Sequence, residues 1–367
     1  MYLTGNQRWS RFDLFMNNFR QSIFYIIIFF VTYLIYVYPF DVLNYFIIEE
    51  SIFKLSSLLF TVIFYFIIIF YFKSHNTFFL LKLFVHEGMG IGFISFWIVN
   101  LGLLIDKLYP TTTPVLGVIC FLSIIIITVY SLINGRLINL KSIKILSSKV
   151  DDQIRLMFIS DTHLGSNSKK HLEKILLKIK DLKFDLLLIG GDFIDSSSFN
   201  LDELDILKNL NKPIFFISGN HEYYIKDYEN KLKKLKNYDI SFLDNESFKF
   251  KKINLIGISD NLTLENQKKI SSMLIQENLF NLILVHKATL WDHVFEKTDL
   301  MLSGHTHNGQ IFPFNFFVRL QYKNIYGIYE KLKSKLYVSS GSGCWGPNMR
   351  LGSKNEIVDI LISKNIE

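Results

Sequence analysis

The sequence predicts two regions, an N-terminal all-α transmembrane region of about four helices and then a water-soluble α/β domain. Three observations carry this. Residues 1–135 hold 13 charged side chains, whereas the remaining 232 hold 60. The poorly charged part contains apolar stretches long enough to cross a bilayer. The charged part instead alternates short apolar runs with Lys-rich amphipathic stretches. With half of its 367 residues hydrophobic and only two cysteines, Cys120 and Cys344, the chain is not disordered, not a disulfide scaffold and not a single soluble domain.

The predicted spans are residues 21–40, 55–72, 88–105 and 113–134. Each is apolar on every face, which a helix packed on one side of a small core is not. The first is too long for a cleaved leader and lacks a small-residue cleavage site, so it reads as an anchor. The third is the weakest, with glycines at 88, 90 and 92. Basic residues set the orientation. Arg8, Arg11, Arg20, Lys73, Lys82, Arg136, Lys141, Lys144 and Lys149 fall on one side; Lys54 and Lys107 fall on the other. Four spans then put both termini, and everything after residue 136, on the cytoplasmic side of an inner membrane. Loss of the third span would reverse the soluble domain. Lys82, His86 and Glu87 precede that span and read as an interfacial stretch whose lysine snorkels.

Residues 136–151 read as a basic linker, and residues 152–367 as the soluble domain. Its apolar runs at 156–160, 186–189, 214–218, 255–259, 282–285, 300–303, 336–340 and 357–362 have strand length and composition. Residues 171–182 and 228–236 space Leu and Ile as amphipathic helices do. Alternating strands and helices predict an α/β layered domain.

The residues that follow these strands carry chemistry. They are Asp161-Thr162-His163, Gly190-Gly191-Asp192, Gly219-Asn220-His221-Glu222, His286 and Gly304-His305-Thr306-His307. In open α/β sheets, sites lie beyond the carboxyl ends of strands, so these residues are expected to converge. Any one of them could be a turn, a cap or a buried histidine. Five of the nine histidines in such motifs, each at a strand end, point to metal binding instead. Imidazoles, carboxylates and an amide oxygen without a thiolate suit Mn, Fe, Zn or Co. They outnumber the protein ligands of one catalytic zinc and fit two ions sharing a carboxylate.

The order D-x-H, G-D, G-N-H-E, H, G-H-x-H resembles the calcineurin-like metallophosphoesterases over roughly residues 150–365. GHTHNGQI (304–311) and YVSSGSGCWGPNMR (337–350) are similar to a bacterial, membrane-anchored branch. The resemblance implies two packed β-sheets flanked by helices, with the metals at the sheet edge. It implies that Asp161, His163 and His307 hold one of two divalent ions and that Asp192 bridges to the second. Asn220, His286 and His305 would complete the second site. His221 would act on the leaving oxygen or the phosphoryl oxygens, and Glu222 would orient it. Hydrolysis would proceed by a metal-bridging hydroxide, with no protein nucleophile. Arg350 is a candidate substrate-phosphate contact. Asn308 and Ala288 stand where this branch often has Gly and Pro.

A membrane-surface site favours a phosphodiester, with a lipid-linked substrate and membrane lipids as partners. A nucleotide-diacylglucosamine pyrophosphate hydrolase of lipid A assembly, or a non-catalytic sensor or assembly protein keeping the module, are the alternatives. The net charge of +7 could suggest nucleic acid, but acids flank the Lys-rich 228–236 stretch, and a solvated face near an anionic leaflet explains it more simply.

Overall fold

The computed structural model describes residues 11–74, 78–109 and 113–365. Arg8, used above for orientation, lies outside them, as do the side chains of Arg11 and Arg20. The chain divides into two compact units, with the division between Thr128 and Val129.

In the first unit, α1 (Arg11–Thr32) passes through a π-helical turn (Tyr33–Val37) into α2 (Tyr38–Ile48). Pro39 sits in the first turn of α2, where no backbone donor is needed, so the helix continues beyond residue 40. α3 (Leu55–Lys73) and α4 (Phe79–Leu108) follow, and α5 (Thr113–Arg136) begins in this unit. Four stretches, Ser22–Ile48, Leu55–Lys73, Phe79–Leu108 and Thr113–Arg136, are long and apolar enough to cross a membrane. The third starts nine residues earlier than residue 88 and takes Lys82, His86 and Glu87 into its first turns. There the His86 Nε2 lies 2.9 Å from the Tyr71 hydroxyl. Glycine within this helix serves packing. A Cβ on Gly92 would stand 2.0 Å from the Ile35 carbonyl oxygen, so α4 meets the π turn backbone to backbone.

The second unit holds twelve strands among the described residues. They are β1 (Ile138–Ser147), β2 (Ile154–Ile159), β3 (Leu186–Gly190), β4 (Ile214–Ile217), β5 (Ile240–Phe242), β6 (Glu246–Phe250), β7 (Ile253–Ile258), β8 (Phe280–Val285), β9 (Leu300–Ser303), β10 (Gly327–Lys331), β11 (Ser334–Val338) and β12 (Asn355–Lys364). Helices α6 (Lys169–Ile179), α7 (Tyr228–Lys234), α8 (Leu264–Leu274), α9 (Trp291–Val294) and α10 (Phe314–Gln321) connect them. Two six-stranded sheets result, ordered β1-β12-β2-β3-β4-β5 and β10-β11-β9-β8-β7-β6.

The strand period of two explains why these runs are apolar on both faces. Leu156, Phe158, Leu186, Leu188, Phe215 and Ile217 of the first sheet meet Leu255, Leu282, Leu284 and Leu302 of the second in one shared core. The alternate residues Met157, Ile159, Leu187, Ile189 and Phe216 pack outward under α6 and α7. Ile256, Ile258, Ile283 and Val285 do the same under α8 and α9. The two packed sheets flanked by helices match the expected architecture.

The linker reading of 136–151 needs correction. Residues 138–147 form β1, which pairs in parallel with β12 through ten register positions from Ile138↔Asn355 to Ser147↔Lys364. Most of its side chains are exposed, and lysines at 141 and 144 gave it a linker's composition.

Candidate metal centre

Strands β2, β3 and β4 run parallel, as do β7, β8 and β9, so their carboxyl ends gather at one edge of each sheet. Backbone bonds lace these ends together. Asp161 N donates to the Gly191 carbonyl at 3.0 Å, His163 N to Asp192 O at 2.9 Å, and Gly304 N to His286 O at 3.0 Å. Gly304 is obligatory at its position, because a Cβ there would stand 1.9 Å from Ser160 Oγ and 2.2 Å from Asp161 Oδ2.

Three groups of potential ligands form among the described residues, one of them His163, Asp195 and His221. Asp161, His163 and His307 offer ligand atoms within 4.8 Å of one another, and so do Asp192, His286 and His305. The groups adjoin. His163 Nε2 is 3.1 Å from His307 Nε2 and 3.9 Å from Asp192 Oδ2, which in turn is 3.0 Å from His286 Nε2. Five of these residues have left-handed backbones, with φ of 53° at Asp161, 50° at His163 and Asp192, 75° at His305 and 49° at His307. Each such non-glycine residue costs about 1–2 kcal/mol, a strain held only where surrounding structure over-determines it.

Further contacts orient the rings. His286 Nδ1 donates to the Gly190 carbonyl at 2.8 Å, which turns Nε2 into the cluster. His305 Nε2 lies 2.8 Å from the Tyr322 hydroxyl, leaving its other nitrogen for the cluster. Asn220 Oδ1 is buried and has no hydrogen-bond partner among the described residues. An unsatisfied buried amide oxygen is costly unless something positive meets it.

Electrostatics suit a cation. Burial opposes the charge on Asp192, but His286, His163 and His221 hold its carboxyl well below the usual range. Burial alone would depress His286; Asp192 beside it raises it to about 10. Burial lowers His305 to about 2, so it is neutral near pH 7, as a metal-binding imidazole must be, and burial lowers His221 to about 4. Burial also raises Asp161. The donor set and the orphaned Asn220 oxygen fit divalent ions.

A family model for calcineurin-like phosphoesterases matches residues 154–309. A metallophosphoesterase of Campylobacter jejuni is 33% identical over 275 residues, covering 70% of this chain and 72% of that protein. The chain belongs to the calcineurin-like phosphoesterases. A Helicobacter pylori metallophosphoesterase is 33% identical over 62% of this chain, which spans 65% of that protein's length. A zebrafish (Danio rerio) "transmembrane protein with metallophosphoesterase domain" is 27% identical over 65% of this chain and 61% of its own. The chain is therefore a metal-dependent phosphoester hydrolase with helices apolar enough to cross a membrane.

Within this phosphoesterase, two expected roles need correction. Glu222 does not touch the His221 ring. Its buried carboxylate accepts backbone N–H groups of Asp192 (3.0 Å), Phe193 (2.7 Å), Ile194 (2.9 Å) and Gly219 (2.8 Å), tying the β3 and β4 loops together. Burial, then Asp192, raises its pKa to about 7. Arg350 is fully buried and not placed for substrate. Its five N–H groups are matched by Asn355 Oδ1, the carbonyls of His307, Ser340 and Gly343, and Ser353 Oγ.

His221 stands at the partly open side of the cluster. Its ring is 4.7 Å from that of His163 and near the exposed rings of Tyr224 and Trp345, at 5.4 and 5.6 Å. Its backbone N–H is held by Asp192 Oδ1 at 2.8 Å. Sequence reasoning missed Asp195, whose Oδ2 lies 3.3 Å from His163 Nδ1 and so orients that ring. The signal was an acid three residues after Asp192. Tyr322 was also missed and had no local signal. Asn308 has a left-handed backbone (φ 52°) next to His307, a conformation that glycine also adopts readily. Ala288 is nearly buried.

Proposed function

We propose that this chain is a multi-pass membrane phosphodiesterase, acting on lipid-linked phosphodiesters at the cytoplasmic face of an inner membrane with two divalent ions. The observation that carries the two-ion reading is the pair of adjoining ligand groups, one around Asp161 and one around Asp192. Asp161, His163 and His307 would hold one ion; Asn220, His286 and His305 the other; Asp192 would serve both. Bound there, such ions supply an activated water near neutral pH and draw charge from a phosphoryl group.

The protein's own contribution is orientation. The Gly190 carbonyl fixes the His286 tautomer, and the Asp195 carboxylate stands 3.3 Å from His163 Nδ1. Glu222 fixes the loop that carries Asp192. His221, neutral and partly exposed, has one ring N–H to give to the leaving or phosphoryl oxygen. Tyr224 and Trp345 flank that position with apolar surface. Support for the membrane role comes from the four apolar helices and the biased placement of basic residues.

Purified protein should hydrolyse bis(p-nitrophenyl) phosphate with Mn²⁺, and more efficiently than the monoester. EDTA should abolish turnover and Mn²⁺ restore it. Preference for the monoester rejects the diester reading. Lipid analysis of a deletion strain should show one phospholipid or nucleotide lipid accumulating; an unchanged profile rejects a lipid-linked substrate. Protease added to intact cells should spare the catalytic unit, and cleavage there reverses the orientation.

A further inference from the structure

The helix α10 is unlike the other helices of the catalytic unit. None of its residues is buried. Phe312, Phe314, Phe316, Phe317 and Leu320 are all exposed within nine positions, Leu320 at 86%. Apart from the end of α5, exposed apolar residues elsewhere in this unit are scattered, which is ordinary; a contiguous aromatic face is not. Arg319 and Lys323 flank that face with positive charge.

Within the unit, α10 lies close to the end of α5. The last two turns of α5 belong to this unit and end at Arg136. Arg350 N donates to the Ser131 carbonyl at 2.9 Å, and Asn355 Nδ2 donates to the Gly135 carbonyl at 2.7 Å. A Cβ on Gly135 would stand 2.2 Å from the Asn348 carbonyl oxygen. Leu351, the residue after Arg350, accepts the Phe312 N–H at 2.8 Å. The start of the aromatic face is therefore on the order of 10 Å from the final turns of α5, one peptide step and two hydrogen bonds away. Val129, Tyr130 and Ile133 on those turns are themselves exposed. A helix as apolar as α5 leaves the bilayer where its apolar residues stop, near Arg136.

We propose that the aromatic face of residues 312–320 lies in the membrane interface beside the exit of the fourth apolar helix, so that the metal-ligand edge opens onto lipid headgroups. Aromatic and leucine side chains on one face with basic neighbours are what an interfacial helix presents to an anionic leaflet. The site brackets this helix: His307 precedes it by a short loop, and Tyr322, the next residue after it, touches His305. A lipid phosphodiester can then reach the ligands without leaving the membrane surface. This inference rests on the reading that the apolar helices span a bilayer.

The test uses the full chain in phosphatidylethanolamine–phosphatidylglycerol vesicles, with an environment-sensitive fluorophore on one introduced cysteine; the native Cys120 and Cys344 are buried. Three variants are compared: Leu320→Cys, Ile126→Cys on the fourth span and Lys208→Cys on the exposed surface. Expected are loss of Leu320 and Ile126 fluorescence to doxyl lipids, with shielding from aqueous iodide, and the reverse at Lys208. If Ile126 reports lipid while Leu320 is as iodide-accessible as Lys208, the inference fails and the spanning reading stands. If Ile126 is reached by iodide, both fail. Shielding of Leu320 without lipid quenching, fading as protein is diluted in lipid, means a second copy covers the face and also overturns the inference.

Discussion

The sandwich interior and the metal-ligand edge are built from the same strands and follow opposite rules. Phe158, Leu188, Ile217, Leu284 and Leu302 are fully buried, extended and apolar. Two to four residues further along the same strands stand Asp161, Asp192, Asn220, His286 and His305, mostly buried and polar, three of them with positive φ. The interior lowers the free energy by removing apolar area from water; the edge raises it by burying carboxylates and imidazoles and by straining backbones. A strained, polar edge holds its shape because the sheets behind it leave few alternatives.

If that division is real, changes on the two sides should separate activity from stability. Asp192→Asn should reduce turnover ~10³-fold or more, since it removes charge from both ligand groups, while the thermal midpoint falls less than in a variant of the sandwich interior. A large fall in the midpoint would place the stability of the edge in its charges instead. Phe158→Ala should do the reverse, costing about 3–5 kcal/mol in denaturant titration with activity per folded molecule retained. Asp195→Asn should lower metal affinity or turnover by ~10–100-fold, because His163 loses the carboxylate that orients it. Metal titration of the variant would show no change if Asp195 were only a turn residue. The smallest effect should come far from both regions. Lys335→Met breaks the surface pair with Glu330 and should cost about 1 kcal/mol or less, with turnover unaltered.

The legible part of the molecule was the part where type and position both matter. Ligand motifs stand out because each combines a strand run with a glycine or a short-range imidazole, and convergence follows from strand direction. The interior is legible through its period of two. What was hidden depended on direction in space. Glu222 adjoins His221 in sequence, yet its carboxylate turns toward the β3 loop. Arg350 reads as a substrate-phosphate contact, and nothing in its neighbours shows that five acceptors enclose it. Asp195 sits in a stretch that reads as a turn, and Tyr322 reaches His305 from a helix end seventeen residues on. Gly92 looked like a weakness in a span and is a notch where two backbones meet.

Strand β1 has a practical consequence for anyone preparing the catalytic unit alone. Truncation near residue 150, where composition suggests a boundary, would strip all ten of its positions from β12. Fragments beginning there would carry a long bare strand edge, inviting intermolecular pairing and insoluble expression. A fragment that keeps its solubility must start upstream of Ile138, and because only Leu137 separates that residue from the end of α5, detergent belongs in the preparation from the first step.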